Sequence, residues 1–204
     1  MTPVKEAHMR NLSVLMLVLG FLVSAQSYAG FYIEPGITYE KGDNELEWPA
    51  PLGDSTGNTK GLGVNLKLGY HYDSVFFMGL DGSYSQPKFE HSATDYDADA
   101  KSSLYGVILG GQMPNIGLRI WGGYIFGGEL DPEESGGVDV KFTGAKGPKV
   151  GLGFKIFMVS LNVEYMDLEY DDSEIEQAGP ISGEIDNKLK NKLGLVSISL
   201  PLTL

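Results

Sequence analysis

Three aspartates at alternate positions come nearest to a metal site in this sequence. Asp95, Asp97 and Asp99 have the spacing with which a calcium-binding loop begins. Such a loop needs a glycine at its sixth position and a bidentate glutamate at its twelfth, where this chain has Ala100 and Gly106. The sequence therefore predicts no metal site and no cofactor, only an acidic segment that binds divalent cations weakly.

The histidines and serines do not form a catalytic set. Beyond the first 29 residues the chain has two histidines, His71 and His91, and Ser92 adjoins the second. Nucleophilic hydrolysis needs a serine next to a histidine that a carboxylate orients. We find no acid at a spacing that completes such a triad, and we predict that the protein is not an enzyme.

The segment 61–85 has the two-residue period of a β-hairpin. In its first arm apolar residues alternate with small or polar ones, and the second arm, from Phe76, repeats this pattern. A three-residue turn at 73–75 makes the faces of both arms coincide and places Tyr72 opposite Phe76 and Lys67 opposite Asp81.

The same alternation recurs in eight segments that are separated by alternately long and short connections. Eight strands joined in this way have four long loops at one end and three short turns, with both chain termini, at the other. The strands are predicted at 30–40, 61–72, 76–85, 103–112, 118–128, 149–156, 159–166 and 195–204, and the long loops at 41–60, 86–102, 129–148 and 171–191. The turns are predicted at 73–75, around Pro114 and Asn115, and at 157–158.

The apolar face of these strands is interpreted as facing lipid. The opposite face is small, polar and rich in glycine, which suits a narrow lumen better than a surface in water. A chain that crosses a membrane with strands must close into a barrel, because lipid offers no partner to open edges. Aromatic residues near the strand ends indicate interfacial girdles. A soluble lipocalin-like carrier, with its apolar face inward, is the alternative.

Six charged residues lie on the predicted inward face, three acids and three bases. Charges in so narrow a lumen need partners, so we expect a structural ion network that fills the barrel. A gated ion path or a proton relay is the alternative. We also expect Trp121 to be accommodated by Gly106 and Gly110. The six charged residues are Glu34, Lys67, Asp81, Arg119, Lys155 and Glu164.

Composition and the N-terminus define the compartment. Lys5 and Arg10 precede an apolar run at 12–25, and a small-x-small tripeptide ends at Ala29, which predicts a cleavable signal peptide at 1–29 and a barrel domain at 30–204. The net charge of −12 argues against nucleic acid as a partner. Without cysteine, the chain has neither disulfides nor thiolate metal sites.

With this signal segment, eight alternating strands and four long loops, the sequence resembles the small outer-membrane β-barrels of Gram-negative bacteria, the OmpA/OmpX-type group. The resemblance implies an all-β fold: an eight-stranded antiparallel up-and-down transmembrane β-barrel with four long external loops and three short periplasmic turns. It also implies that the barrel assembly machinery recognises the terminal strand. Members of the group usually end in an aromatic residue, whereas this chain ends in leucine. The outward residues of that strand are Val196, Ile198, Leu200, Leu202 and Leu204.

The resemblance leads us to expect a monomer in the cell outer membrane with a structural or surface-interaction role, in adhesion or envelope integrity. Its expected partners are outer-membrane lipid, lipopolysaccharide bound to the acidic loops through shared cations, and an extracellular ligand. A porin-like narrow pore for ions or small hydrophobic solutes is the main alternative. A hydrolase that modifies lipid A, as in some similar barrels, is a further one.

Overall fold

The computed structural model describes residues 29–47, 55–91, 96–134, 138–178, 181–185 and 188–204. Within these ranges the chain is built almost entirely of β-strands. They are β1 Ala29–Glu47, β2 Ser55–Tyr72, β3 Phe76–His91, β4 Tyr96–Met113, β5 Leu118–Pro132, β6 Val138–Ile156, β7 Val159–Ala178, β8 Ile181–Ile185, β9 Lys188–Ser199 and β10 Leu202–Thr203. No helix in these ranges is long and apolar enough to cross a membrane.

The strands form one closed antiparallel barrel. Sequence neighbours from β1 to β7 pair in order, and β9 pairs with both β7 and β1, which closes the sheet. The short strands β8 and β10 precede and follow β9, so β8, β9 and β10 together occupy the eighth position. The predicted eight-stranded up-and-down barrel is confirmed.

The predicted turns at 73–75 and 157–158 lie between the strands as expected. Tyr72 pairs with Phe76, and Lys67 pairs with Asp81. Asp73 and Ser74 have φ angles of 50° and 55°, the left-handed region that a tight hairpin turn requires. Turn length and the period of two were therefore sufficient to fix the register of this hairpin.

The long loops are shorter than predicted. Strand β1 continues to Glu47 and β2 begins at Ser55, so most of the predicted loop 41–60 is ladder. The other three long connections are shortened in the same way, because β3, β4, β6 and β7 also continue beyond the predicted boundaries. We predicted loops because the apolar outward face ends there. The alternation itself continues, with mainly charged or polar residues outward and buried residues inward, among them Leu46, Phe89 and Leu130.

The outer wall around the middle of the barrel is apolar. Ile37, Leu62, Leu109 and Ile120 each have 62–67% of their surface exposed, and many other large hydrophobic residues share this face. A soluble carrier would bury such side chains in its interior. The soluble lipocalin-like alternative is therefore wrong, and this band is the part of the wall that lies in the hydrocarbon layer.

Candidate functional site: the filled lumen

Arg119 on β5 is the centre of one ion cluster in the lumen. Its Nη1 donates to Glu34 Oε1 at 2.9 Å and its Nη2 to Glu34 Oε2 at 2.8 Å, a bidentate pair between β5 and β1. The Tyr32 hydroxyl contacts both partners, and Ser199 donates to the same carboxylate. Both charged side chains are almost completely buried. The guanidinium also lies 5.0 Å from the centre of the Phe77 ring.

Lys67, Asp81, Lys149 and Glu164 form a second, four-membered ion cluster. Lys67 Nζ lies 2.8 Å from Glu164 Oε1 and 3.8 Å from Asp81 Oδ1. Lys149 contacts both carboxylates as well. Each acid therefore faces both bases, and all four side chains are at most 3% exposed. The arrangement neutralises charge where bulk water does not enter.

Trp121 lies between the two ion clusters. Lys67 Nζ and Arg119 Cζ each lie 5.6 Å from the centre of the indole ring. A Cβ added at Gly151 would come within 2.1 Å of the indole, and one at Gly110 within 2.6 Å of Trp121 Cβ. Gly110 therefore makes room for Trp121, as predicted. Gly106 does not, because it packs against Ile125 on β5, and Gly151 takes that role from the other side.

The structure places five of the six expected charged residues in the lumen but divides them between the two ion clusters instead of one network. Lys155 is the exception: its Nζ donates to the carbonyl oxygen of Pro201 at 3.3 Å, near the end of the barrel with the short turns. Lys149 takes its place among the bases and was missed. Lys149 lies on the same face of β6 as Lys155. The sequence pattern predicted that the strand begins at Lys149, whereas β6 begins at Val138, so Lys149 lies well inside the strand.

A second, apolar layer fills the lumen above the ion clusters, and this layer was not predicted. Leu46, Phe89, Leu130 and Phe142 come from three of the segments that we predicted as loops, and each is at most 8% exposed. We use the term apolar cap for the buried cluster that consists of Leu46, Phe89, Ala100, Leu104, Ile125, Leu130, Phe142, Ala145, Met166, Leu168, Tyr170, Leu189, Leu193 and Leu195.

The family model for the outer membrane protein beta-barrel domain matches residues 12–193. The chain belongs to this family. Its place is accordingly the bacterial outer membrane. No curated protein sequence matches the chain.

Solved structures of outer-membrane barrels are similar to this chain in fold. The outer membrane protein OprG from Pseudomonas aeruginosa shares 10% identity over 88% of this chain and 99% of its own, with a TM-score of 0.51. Neisserial surface protein A shares 13% identity over 84% and 99%, with a TM-score of 0.44. The attachment invasion locus protein Ail of Yersinia pestis shares 14% identity over 82% and 98%, with a TM-score of 0.42.

The remaining predicted site residues lie outside the lumen network of this outer-membrane barrel. Asp97 and Asp99 belong to β4, where they pair with Glu90 and Lys88. They are strand residues and not part of a loop. Asp95 lies outside the described residues. His91 ends β3, and Ser92 is also outside the described residues.

His71 and the terminal strand lie at the end of the barrel with the short turns. The Nδ1 of His71 lies 3.0 Å from the Thr203 hydroxyl, and its ring packs near Tyr32 and Phe77. Val196, Ile198 and Leu200 face outward as expected, and Leu202 continues the same register against β1. Leu204 donates its backbone N–H to the carbonyl of Phe31. Recognition of this strand by the assembly machinery stays a prediction.

Ion pairs also stabilise the outer surface of the strands beyond the apolar band. A hydrogen bond from Lys188 lowers the pKa of Glu169, with a distance of 2.8 Å between the charged atoms. A hydrogen bond to Asp171 raises the pKa of Lys146. Both effects keep these exposed groups charged at neutral pH, so this part of the wall presents alternating charges to its surroundings.

Proposed function

We propose that this protein is a non-conducting scaffold of the outer membrane whose role is structural or surface-interactive, in adhesion or envelope integrity. The observation that carries the proposal is the filled lumen. The ion clusters around Arg119 and Lys67 and the apolar cap above them lie in series, and an ion would have to pass both. Opening such a path would break buried ion pairs, each of which is costly to leave uncompensated.

The strands beyond the apolar band support the surface role. They continue the barrel outward as a rigid wall with charged side chains, such as Asp43, Lys88 and Glu169, on its exposed face. A site on paired strands is held more precisely than one on mobile loops. Export by the predicted signal peptide would place this wall on the cell surface, where it can present a ligand-binding face.

The scaffold proposal is tested by conductance. Purified protein is inserted into planar lipid bilayers and compared with two variants. Lys67→Ala removes one base from the four-membered ion cluster, and Phe142→Ala removes one large side chain from the apolar cap. We expect no discrete conductance steps from any of the three, because each single variant leaves the other layer in place.

Discrete steps from the unmodified protein would overturn the proposal and favour the narrow pore. Steps from Lys67→Ala alone would show that the apolar cap does not close the lumen. A mobility shift on boiling in SDS establishes for each variant that the barrel has folded. The absence of conductance steps can then not be caused by an unfolded protein.

A further inference from the structure

The charges nearest the membrane on the outer wall are mostly positive. Each barrel strand continues outward from the apolar band, within the part of the chain that the structure describes. On six of the eight strands the first charged outward residue is a lysine, although the chain has 27 acidic and 15 basic residues. These lysines are Lys41, Lys60, Lys88, Lys101, Lys146 and Lys192; Glu129 on β5 and Asp167 on β7 are the exceptions. We call this set the lysine belt.

Three lysines of the belt are direct neighbours across strands. Lys41 pairs with Lys60 on β2, and Lys60 pairs with Lys88 on β3. Like charges directly opposite each other in a sheet are destabilising. Glu90 lies two residues beyond Lys88 on β3, away from the membrane, and contacts Lys60 at 2.5 Å. Asp99 on β4 lies beside Lys88 as its register partner. Neither acid lies on the membrane side of the row. A row of this kind is suited to an anion that approaches from the membrane.

An open apolar groove lies on the membrane side of this row. It has a volume of about 620 Å³, and Leu66, Leu80, Tyr84 and Tyr105 are among the residues that line it. Gly82 leaves the space open, because a Cβ there would meet only the carbonyl oxygen of Leu66, at 4.0 Å. The groove begins four residues along the strand from Lys60 and Lys88, about 13 Å, and lysine side chains reach back toward an interface.

We propose that Lys41, Lys60 and Lys88 bind the phosphate groups of an anionic lipid of the outer leaflet, and that an acyl chain of the same lipid lies in the groove at Gly82. Charge and shape both support this occupant, since cationic side chains at the headgroup level attract lipid phosphates. The lysines themselves, and not acidic loops with bridging cations, then recognise the lipid. The proposal requires the barrel to lie in the membrane, but it does not depend on whether the lumen conducts.

The charge part of the site is tested with lipid A, a phosphorylated and acylated lipid, as the probe. The protein is refolded in phosphatidylcholine vesicles with and without lipid A, and the lipid A that stays bound after extraction into mild detergent is titrated. The triple variant Lys41→Gln, Lys60→Gln, Lys88→Gln should bind at least about tenfold more weakly, because each lysine near the surface contributes to the attraction.

The matched control removes three outward lysines on β6 and β9, outside the row that Lys41, Lys60 and Lys88 form. Lys141, Lys146 and Lys188 form ion pairs with Glu129, Asp171 and Glu169. Their change to glutamine alters net charge equally and should leave lipid A binding near that of the unmodified protein. Equal losses in both triple variants would overturn the site. Loss of binding in the presence of a chelator would also overturn it, in favour of cation bridges.

The groove part of the site is tested with two glycines that both face lipid. Gly82→Leu fills the groove and should weaken lipid A binding, whereas Gly111→Leu, in a different groove of the wall, should not. If inorganic phosphate competes as strongly as lipid A, or if Gly82→Leu has no effect, the lysines bind free phosphate and the lipid proposal fails. A shift on boiling checks that every variant has folded.

Discussion

Glu34 and Arg119 show how charges are accommodated inside this barrel. Each is held by the other through two hydrogen bonds, and the Glu34 carboxylate also contacts Tyr32 and Ser199. Burying either ion alone carries a large desolvation cost. The two residues therefore stabilise the barrel only as a pair, and we expect single and double replacement to have different effects on stability.

Arg119→Leu should destabilise the protein by about 3–5 kcal/mol, because it leaves Glu34 buried without its counter-charge. The double variant Glu34→Leu, Arg119→Leu should cost less than this single change. Unfolding in urea from lipid vesicles, followed by tryptophan fluorescence, measures both. A double variant that is as unstable as the sum of its two single variants would show that the pair is not coupled.

Strand β4 shows how one sequence pattern can indicate two different elements. Its first residues, 96–101, alternate aspartate or lysine with tyrosine or alanine. We interpreted the aspartates at every second position as a weak calcium-loop pattern, yet the same spacing is that of a strand with one charged face. Ala98 and Ala100 are the buried residues on its other face. The outward face of a strand therefore changes from apolar to charged where the strand leaves the hydrocarbon layer.

Leu80→Arg should destabilise the barrel by about 2–4 kcal/mol, because an arginine at the bilayer midplane faces hydrocarbon. Leu66→Arg, on the neighbouring strand, should behave in the same way. Asn58→Arg is the control, because Asn58 faces outward on the same strand as Leu66 but beyond the apolar band. This change should have almost no effect on the stability of the barrel. Refolding yields in vesicles measure the difference, and equal tolerance at all three positions would contradict the membrane placement.

The whole molecule is held together by closure of the sheet and by two interior layers. β9 pairs with β1 from Ser199 to Lys188 and with β7 from Ser199 to Leu189, so no strand in the membrane band is left with an open edge. The ion clusters and the apolar cap fill the space that this closure creates. A barrel that is closed and filled in this way should resist detergent and unfold as a unit.

The protein should therefore be retained in isolated outer membranes and should migrate differently on SDS gels before and after boiling. The closed barrel excludes SDS, whereas the boiled chain binds it along its whole length. Expression of the chain with its N-terminal segment, followed by membrane fractionation, makes this measurement. A soluble periplasmic protein without a shift on boiling would contradict both the closed barrel and its location.

The sequence alone determined the strand count, the barrel class and the register of the first hairpin. It could do so because alternation over eight segments and a turn of three residues are local properties. Five charged residues of the lumen were predicted in the same way, because residues at every second position of a strand point to the same face.

Only the tertiary structure decided which acids and bases meet and how far the barrel extends. Glu34 and Arg119 are 85 residues apart in sequence, on strands that are not neighbours in the sheet, so their pairing depends on the closed lumen. Lys149 replaces Lys155 in the network because β6 continues past the predicted boundary. The apolar cap was not predicted for the same reason. Residues such as Phe89 and Leu130 are interior only because the strands that carry them continue beyond the membrane and close around them.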